Sequence, residues 1–241
     1  MASTYSTNTK LEIITTGEKA GLWGGITNTN LQILEQAASG YLAIDMAGAS
    51  VTLALTDGAT SNGKNIYLKL TGTLAANRTL TMPATAERVW IIEDATNRNG
   101  TNAYTLGVLT ASSSTTTQIP PGGTVLCRSD GTDTKVTILN NGYSQIDNTY
   151  SPYLAVPGHQ IFANTSTSTI TVTLPASPAT GDEVTIIDSR NNFTSNAVTV
   201  GRNGQPINNA ALDATLGTNG QAATFVYIDG TCGWNYKTNT A

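Results

Sequence analysis

The chain holds few residues able to do chemistry, and their spacing limits what that chemistry can be. A nucleophilic mechanism needs a nucleophile, a base and a group that orients the base, yet the sequence has one imidazole, His159. It stands in Val156-Pro-Gly-His-Gln160, at the entrance to a predicted strand, and no Gly-x-Ser-x-Gly elbow occurs. Cleavage of a glycosidic bond needs two carboxylates facing one bond. The available sets are Glu93 with Asp94 and Asp182 with Glu183, but neighbours on a strand point to opposite faces. Their position at strand ends makes turn formation the simpler reading. Asp130-Gly-Thr-Asp133 offers oxygens to a hard cation without the remaining ligands of a calcium loop. Cys127 and Cys232 lack zinc or redox spacing and read as buried free thiols of a chain made in a reducing cytoplasm. No catalytic, cofactor-binding or metal-binding set is expected, and the chain reads as non-enzymatic.

Trp23 offers a different chemistry, that of recognition. Flanked by Gly21, Gly24 and Gly25, it can anchor in a partner's pocket while the glycines permit close backbone approach; the alternative is packing on its own helix. With Leu22, Ile26, Leu31 and Leu34 it makes the candidate assembly surface.

The elements that must carry these residues fall into an N-terminal segment, residues 1–40, and a β region. Leu11-Glu-Ile13-Ile-Thr-Thr reads as a strand, followed by a Gly-rich turn through Gly25. Thr27 or Asn28 is expected to cap a helix of about three turns, with Leu31, Leu34 and Ala38 at helical spacing and Gly40 as its stop. From Tyr41 onward, short Val, Ile, Leu and Thr segments alternate with Gly, Asn, Asp and Pro, the pattern expected of antiparallel strands. Ile170-Thr-Val172-Thr-Leu174 is the clearest, with apolar side chains on one face and threonines on the other. Trp90 and Trp234 lie in such strands and read as core or subunit-contact residues.

The β region contains an internal duplication. Thr79-Leu-Thr-Met-Pro83 with Val89-Trp-Ile-Ile-Glu-Asp94 matches Thr171-Val-Thr-Leu-Pro175 with Val184-Thr-Ile-Ile-Asp188. Further on, Ala103–Gly107 corresponds to Ala197–Gly201, and Thr124-Val-Leu126 with Asp130-Gly131 to Thr224-Phe-Val226 with Asp229-Gly230. A weaker echo, Val51-Thr-Leu53 then Gly63-Lys-Asn-Ile66-Tyr-Leu68, suggests an additional hairpin in the first copy. The expected fold is therefore all-β: two tandem antiparallel sandwich-like modules, 41–142 and 143–241, behind a strand-turn-helix segment.

Composition narrows the partners. Hydrophobic residues at 39% suffice for a core, whereas 12% charged residues is too sparse for an ordinary monomer surface and suits assembly. A net charge of −4 without a Lys/Arg cluster argues against nucleic acid. No apolar run approaches the roughly 20 residues of a spanning helix, so no membrane partner is expected.

At two places the chain resembles bacteriophage virion structural proteins. Thr15-Thr-Gly17-Glu-Lys-Ala-Gly21-Leu-Trp23-Gly24 with Thr27-Asn-Thr-Asn30-Leu-Gln-Ile-Leu34 is similar to the N-terminal segment of virion and tail-fibre proteins. Thr173-Leu-Pro175, Val200-Gly-Arg-Asn-Gly204, Phe225–Asp229 and Gly233-Trp234 resemble repeats in appendage proteins of marine phages. The resemblance implies a virion component made in the host cytoplasm, docked on other virion proteins by its N-terminal segment and homo-oligomeric, with a trimer favoured. A tail-associated fibre or adaptor is expected, with a head decoration or capsid fibre protein as the alternative. From another class, Tyr104, Tyr143, Tyr150 and Tyr153 could stack on sugar rings, as in a carbohydrate-binding module for a host surface glycan, and a glycan-cleaving spike is the enzymatic alternative.

Overall fold

The computed structural model describes residues 3–83, 85–98, 104–110, 116–132, 134–140 and 142–240. The chain opens with two short paired strands, β1 (Thr4–Tyr5) and β2 (Glu12–Ile13), and helix α1 (Trp23–Ser39). The helix starts earlier than the sequence suggests and runs for 17 residues. Thr27 and Asn28 lie inside it, and Leu22 precedes it without a side-chain cap. The left-handed turn that leads in is made at Gly17, Lys19 and Gly21, while Gly24 and Gly25 continue the helix.

The rest is mostly strand. The first half contains β3 (Tyr41–Asp45), β4 (Val51–Thr52), β5 (Tyr67–Thr71), β6 (Thr73–Leu74), β7 (Arg78–Met82), β8 (Glu87–Asp94), β9 (Asn97–Arg98), β10 (Leu106–Thr110), β11 (Thr116–Gln118), β12 (Thr124–Asp130) and β13 (Thr134–Asn140). The second contains β14 (Tyr143–Ile146), β15 (Tyr153–Leu154), β16 (His159–Ala163), β17 (Ile170–Thr173), β18 (Glu183–Asp188), β19 (Val198–Gly201), β20 (Ala214–Leu216), β21 (Ala222–Tyr227) and β22 (Trp234–Thr240). Apolar residues at every second position drive these strands: Leu80 and Met82 in β7 and Ile170 and Val172 in β17 are buried, with half-buried threonines between.

Each half carries a five-stranded sheet, β3-β5-β8-β12-β13 or β14-β16-β18-β21-β22, and a four-stranded one, β4-β7-β10-β11 or β15-β17-β19-β20. The expectation of antiparallel strands is corrected here. In both halves the first three strands of each sheet are mutually parallel, and only the closing strands are antiparallel. The chain alternates between the two sheets, so each return to a sheet follows a full turn and runs in the same direction as before. Tyr41 lies opposite Tyr67, and Tyr67 opposite Ile91, as successive turns of a β-solenoid-like coil. The echo at Val51–Leu68 is this coil period, not an extra hairpin. Each coil strand thus finds a parallel partner without the crossover helix usual in α/β proteins, because the opposite sheet supplies the crossover.

The duplicated segments occupy equivalent places: β7 and β17, β8 and β18, β10 and β19; Ala103, which heads one matched segment, lies outside the described residues. The matches at residues 105–107 and at Thr124 are each displaced by two residues. Val108 lies opposite Leu80 and Val200 opposite Val172, so Val200 is the counterpart of Val108 and not of Leu106. Val125 lies opposite Ile92 and Ala223 opposite Ile186, so Ala222-Ala-Thr224 is the counterpart of Thr124-Val-Leu126. A further match opens the two halves: Gly40-Tyr-Leu-Ala-Ile-Asp45 and Gly142-Tyr-Ser-Gln-Ile-Asp147 both present an exposed tyrosine and a buried isoleucine. One buried cluster runs from Ile44 to Cys127 around Trp90, and a second from Ile146 to Trp234 around Phe193 and Phe225. Cys127 is buried, and its thiol is pushed up to about 12 by burial; Cys232 is only half-buried, contrary to the expectation of two buried thiols.

Gly40 and Gly142 are demanded by close approach. A Cβ at Gly142 would press into the backbone of Pro121 to Gly123, and one at Gly40 into Gln36 O. Gly142→Ala is therefore expected to cost about 1–3 kcal/mol through forced backbone movement, measurable as a lower chemical-denaturation midpoint. An unchanged midpoint would show that the contact yields freely.

Candidate functional site

Helix α1 carries the candidate assembly residues, and the structure divides them between two faces. Ile33, which the sequence reading did not single out, is fully buried, and Ile26 is half-buried. Trp23, Leu31 and Leu34 share the neighbouring side and face solvent with 64%, 59% and 44% of their surface exposed; Leu22 is 62% exposed. Trp23 thus does not pack away on its own helix. The segment is also fastened to the first half. Asn30 forms a two-way bond with the Glu12 backbone at 3.0 and 2.9 Å, Asn8 Oδ1 accepts from Glu87 N at 3.1 Å, and Gly58 N donates to Lys10 O at 2.8 Å. The exposed apolar residues are accordingly presented from an anchored platform.

The carboxylates serve the corners of the coil. Asp45 and Asp147, at equivalent strand ends, each accept the backbone N–H two residues on, from Ala47 and Thr149, at 2.9 Å. Asp94 and Asp188 do so with Thr96 and Arg190, and Asp130 and Asp229 with Thr132 and Thr231. This Asx-type bond substitutes for a backbone turn. Asp133 lies outside the described residues, so the Asp130–Asp133 cation set has only its first member in view. Neither pair of neighbouring acids comes together on one target: Glu93 accepts from Tyr67 Oη at 2.8 Å and pairs with Lys69 at 3.0 Å, which hold its carboxyl below the usual range. Asp182 accepts from Ala179 N at 2.7 Å with its carboxyl pushed up by burial, and Glu183 pairs with Lys237 at 2.6 Å. Among the described residues no His, Cys, Asp and Glu group forms a metal-binding set, and no helix is long and apolar enough to cross a membrane.

His159 lies at a strand entrance, as the sequence suggests. It opens β16, is buried, and its Nε2 lies 3.1 Å from Ser144 Oγ and 3.4 Å from Tyr153 Oη. Tyr153 Oη also donates to Ser144 Oγ at 3.3 Å. Sequence separation hides this cluster, which depends on β14 and β16 lying side by side in register. Ser144 and Tyr153 then line a cavity of about 290 Å³ where the two halves meet, with Asp94 and Asn97 from the first half and Tyr143 and Tyr150 from the second. Of the four tyrosines named for sugar stacking, three converge here. Tyr104 instead packs against the first core.

A buried lysine was also not foreseen. Lys64 Nζ donates to Thr56 O at 2.7 Å and Ala59 O at 2.6 Å, and burial, reinforced by Arg88, draws its ammonium down to about 8. Its bonds tie the loop after β4 to the coil, a structural duty.

No protein-family model matches the chain, and no curated protein matches it. Among solved structures it is similar to a chain described as "Structure of a chaperone-substrate complex", at 17% identity and a TM-score of 0.38, over 82% of this chain and 32% of that one. The chain thus spans about a third of that structure's length, and the likeness is too slight to bear on function.

Proposed function

We propose that this chain is a non-enzymatic structural component of a bacteriophage virion, a tail-associated fibre or adaptor that docks through α1 and its lead-in. The observation that carries the reading is the row of large apolar side chains, Trp23, Leu31 and Leu34, left in solvent on an anchored helix, with exposed Leu22 just before it. Burying each such side chain on a partner would contribute roughly 1.5–3 kcal/mol, and exposed apolar groups clustered on one element mark interaction surfaces. The low charge of the chain and the resemblance of its Trp23 segment and repeats to virion proteins support the same reading. The two halves act as tandem, related β modules, each with its own core, projecting from or packing around the docking point as a homotrimer.

The test replaces Trp23 and Leu34 together by Asp, substitutions in solvent that leave both β cores intact. Particles complemented with the variant are expected to lack the chain, while its circular dichroism stays that of the wild type. Native mass spectrometry of the purified protein reports the oligomer. Incorporation at the wild-type level would remove the docking role from α1.

A further inference from the structure

We infer that the cavity between the two halves binds one neutral glycosyl unit. Its walls combine aromatic rings with uncharged hydrogen-bonding groups. Tyr143, Tyr150 and Tyr153 all contribute, and Ser144, Asn97 and Gln145 add a hydroxyl and two amides. The carbon-bound hydrogens on one side of a sugar ring pack against the electron-rich faces of such rings, while its hydroxyls need paired donors and acceptors at the rim. Asn97, Tyr143 and Gln145 are exposed and reachable.

Charge sets the class of sugar. No Lys or Arg is among the described residues that line the cavity, and its one acid, Asp94, is almost wholly buried and turned to its own corner, accepting from Thr96 N at 2.9 Å and Thr96 Oγ1 at 2.6 Å. Sialic acids, uronates and phosphorylated ligands would find no compensating cation among those described residues. A quaternary ammonium could sit among tyrosines, but the amide and hydroxyl groups would gain nothing from it. At about 290 Å³ the cavity stands at the small end of ligand sites, the scale of a single ring.

The floor is built to stay in place. Ser144 is held by His159 and Tyr153 at 3.1 and 3.3 Å, and Tyr143 rests edge-on against Phe162 with ring centroids 5.6 Å apart. The inference does not depend on where the chain sits in a particle.

The test is saturation-transfer NMR on the full chain with glucose, galactose, mannose and N-acetylglucosamine, and with N-acetylneuraminic acid and choline as comparisons. At least one neutral sugar is expected to bind with a dissociation constant on the order of 1 mM, and Tyr143→Ala and Gln145→Ala to weaken it about ten-fold. Both positions are exposed, so the variants should retain the wild-type circular dichroism, which is measured alongside. The inference is overturned if none of the four neutral sugars binds, if the folded variants bind as well as wild type, or if N-acetylneuraminic acid or choline binds more tightly.

Discussion

Asp188→Ala is expected to lower the stability of the second half by about 3–5 kcal/mol, a shift in melting temperature of roughly 15–25 °C by circular dichroism. The carboxylate is almost fully buried and accepts four backbone N–H groups, from Arg190 at 3.1 Å, Asn192 at 2.8 Å, Phe193 at 3.1 Å and Gly220 at 3.0 Å. These donors belong to two separate loops, 190–193 and the approach to β21. Truncation leaves all of them facing a void, and each buried unmade bond costs about 1–3 kcal/mol, part of which water can restore. Burial by itself would raise this carboxyl, but the backbone donors outweigh it and hold it below the ordinary aspartate value. Its contribution is therefore complete above the unfolded value of about 3.9 and is lost as pH falls through the lower folded value. The wild type should lose stability in that acid range, and Asp188→Ala should lack this component of the loss. A melting temperature within a degree or so of wild type would mean the loops do not depend on the carboxylate.

The second large effect belongs to the other core. Trp90 is fully buried, its indole N–H donates to Gly63 O at 2.9 Å, and Arg88 lies over its ring at 5.8 Å. Trp90→Ala removes the largest side chain of the first cluster and orphans a buried carbonyl, at an expected cost of about 3–5 kcal/mol. Its interest lies in comparison with Asp188→Ala. If the halves melt as independent modules, Trp90→Ala lowers one calorimetric transition and Asp188→Ala the other. A single transition moved equally by both would make the chain one cooperative unit and remove the tandem-module reading.

Much of this architecture was legible in the residues. The duplication was visible at Thr79–Asp94 and Thr171–Asp188, and these segments fold into equivalent strands because alternation of buried and half-buried positions is a local property. Trp90 and Trp234 were read as core or subunit-contact residues, and both are fully buried. Strand direction was not legible. The period of two is identical in parallel and antiparallel strands, so Tyr41–Asp45 and Tyr67–Thr71 carry no mark of running the same way. The helix start was misplaced because Gly24-Gly25 reads as a turn, and glycine tolerates a helix as well as a left-handed bend.

The candidate site shows the same division. Exposure of Trp23, Leu31 and Leu34 could be suspected from an apolar helix in a chain poor in charge, but which side of the helix would be covered was settled by where α1 lies against the turn at Asn62–Lys64, with Ile33 buried. Nothing in the order of residues joins Asn97 to Tyr150, or Ser144 to His159. By itself the sequence determined that this chain is strand-built, internally duplicated, and turned at corresponding corners by aspartates, since these depend on neighbours a few residues apart. Only the tertiary structure decided that the strands coil, that one face of α1 stays open, and that a cavity forms where the halves meet. Those depend on where the chain returns after a full turn, and short-range patterning does not encode the return.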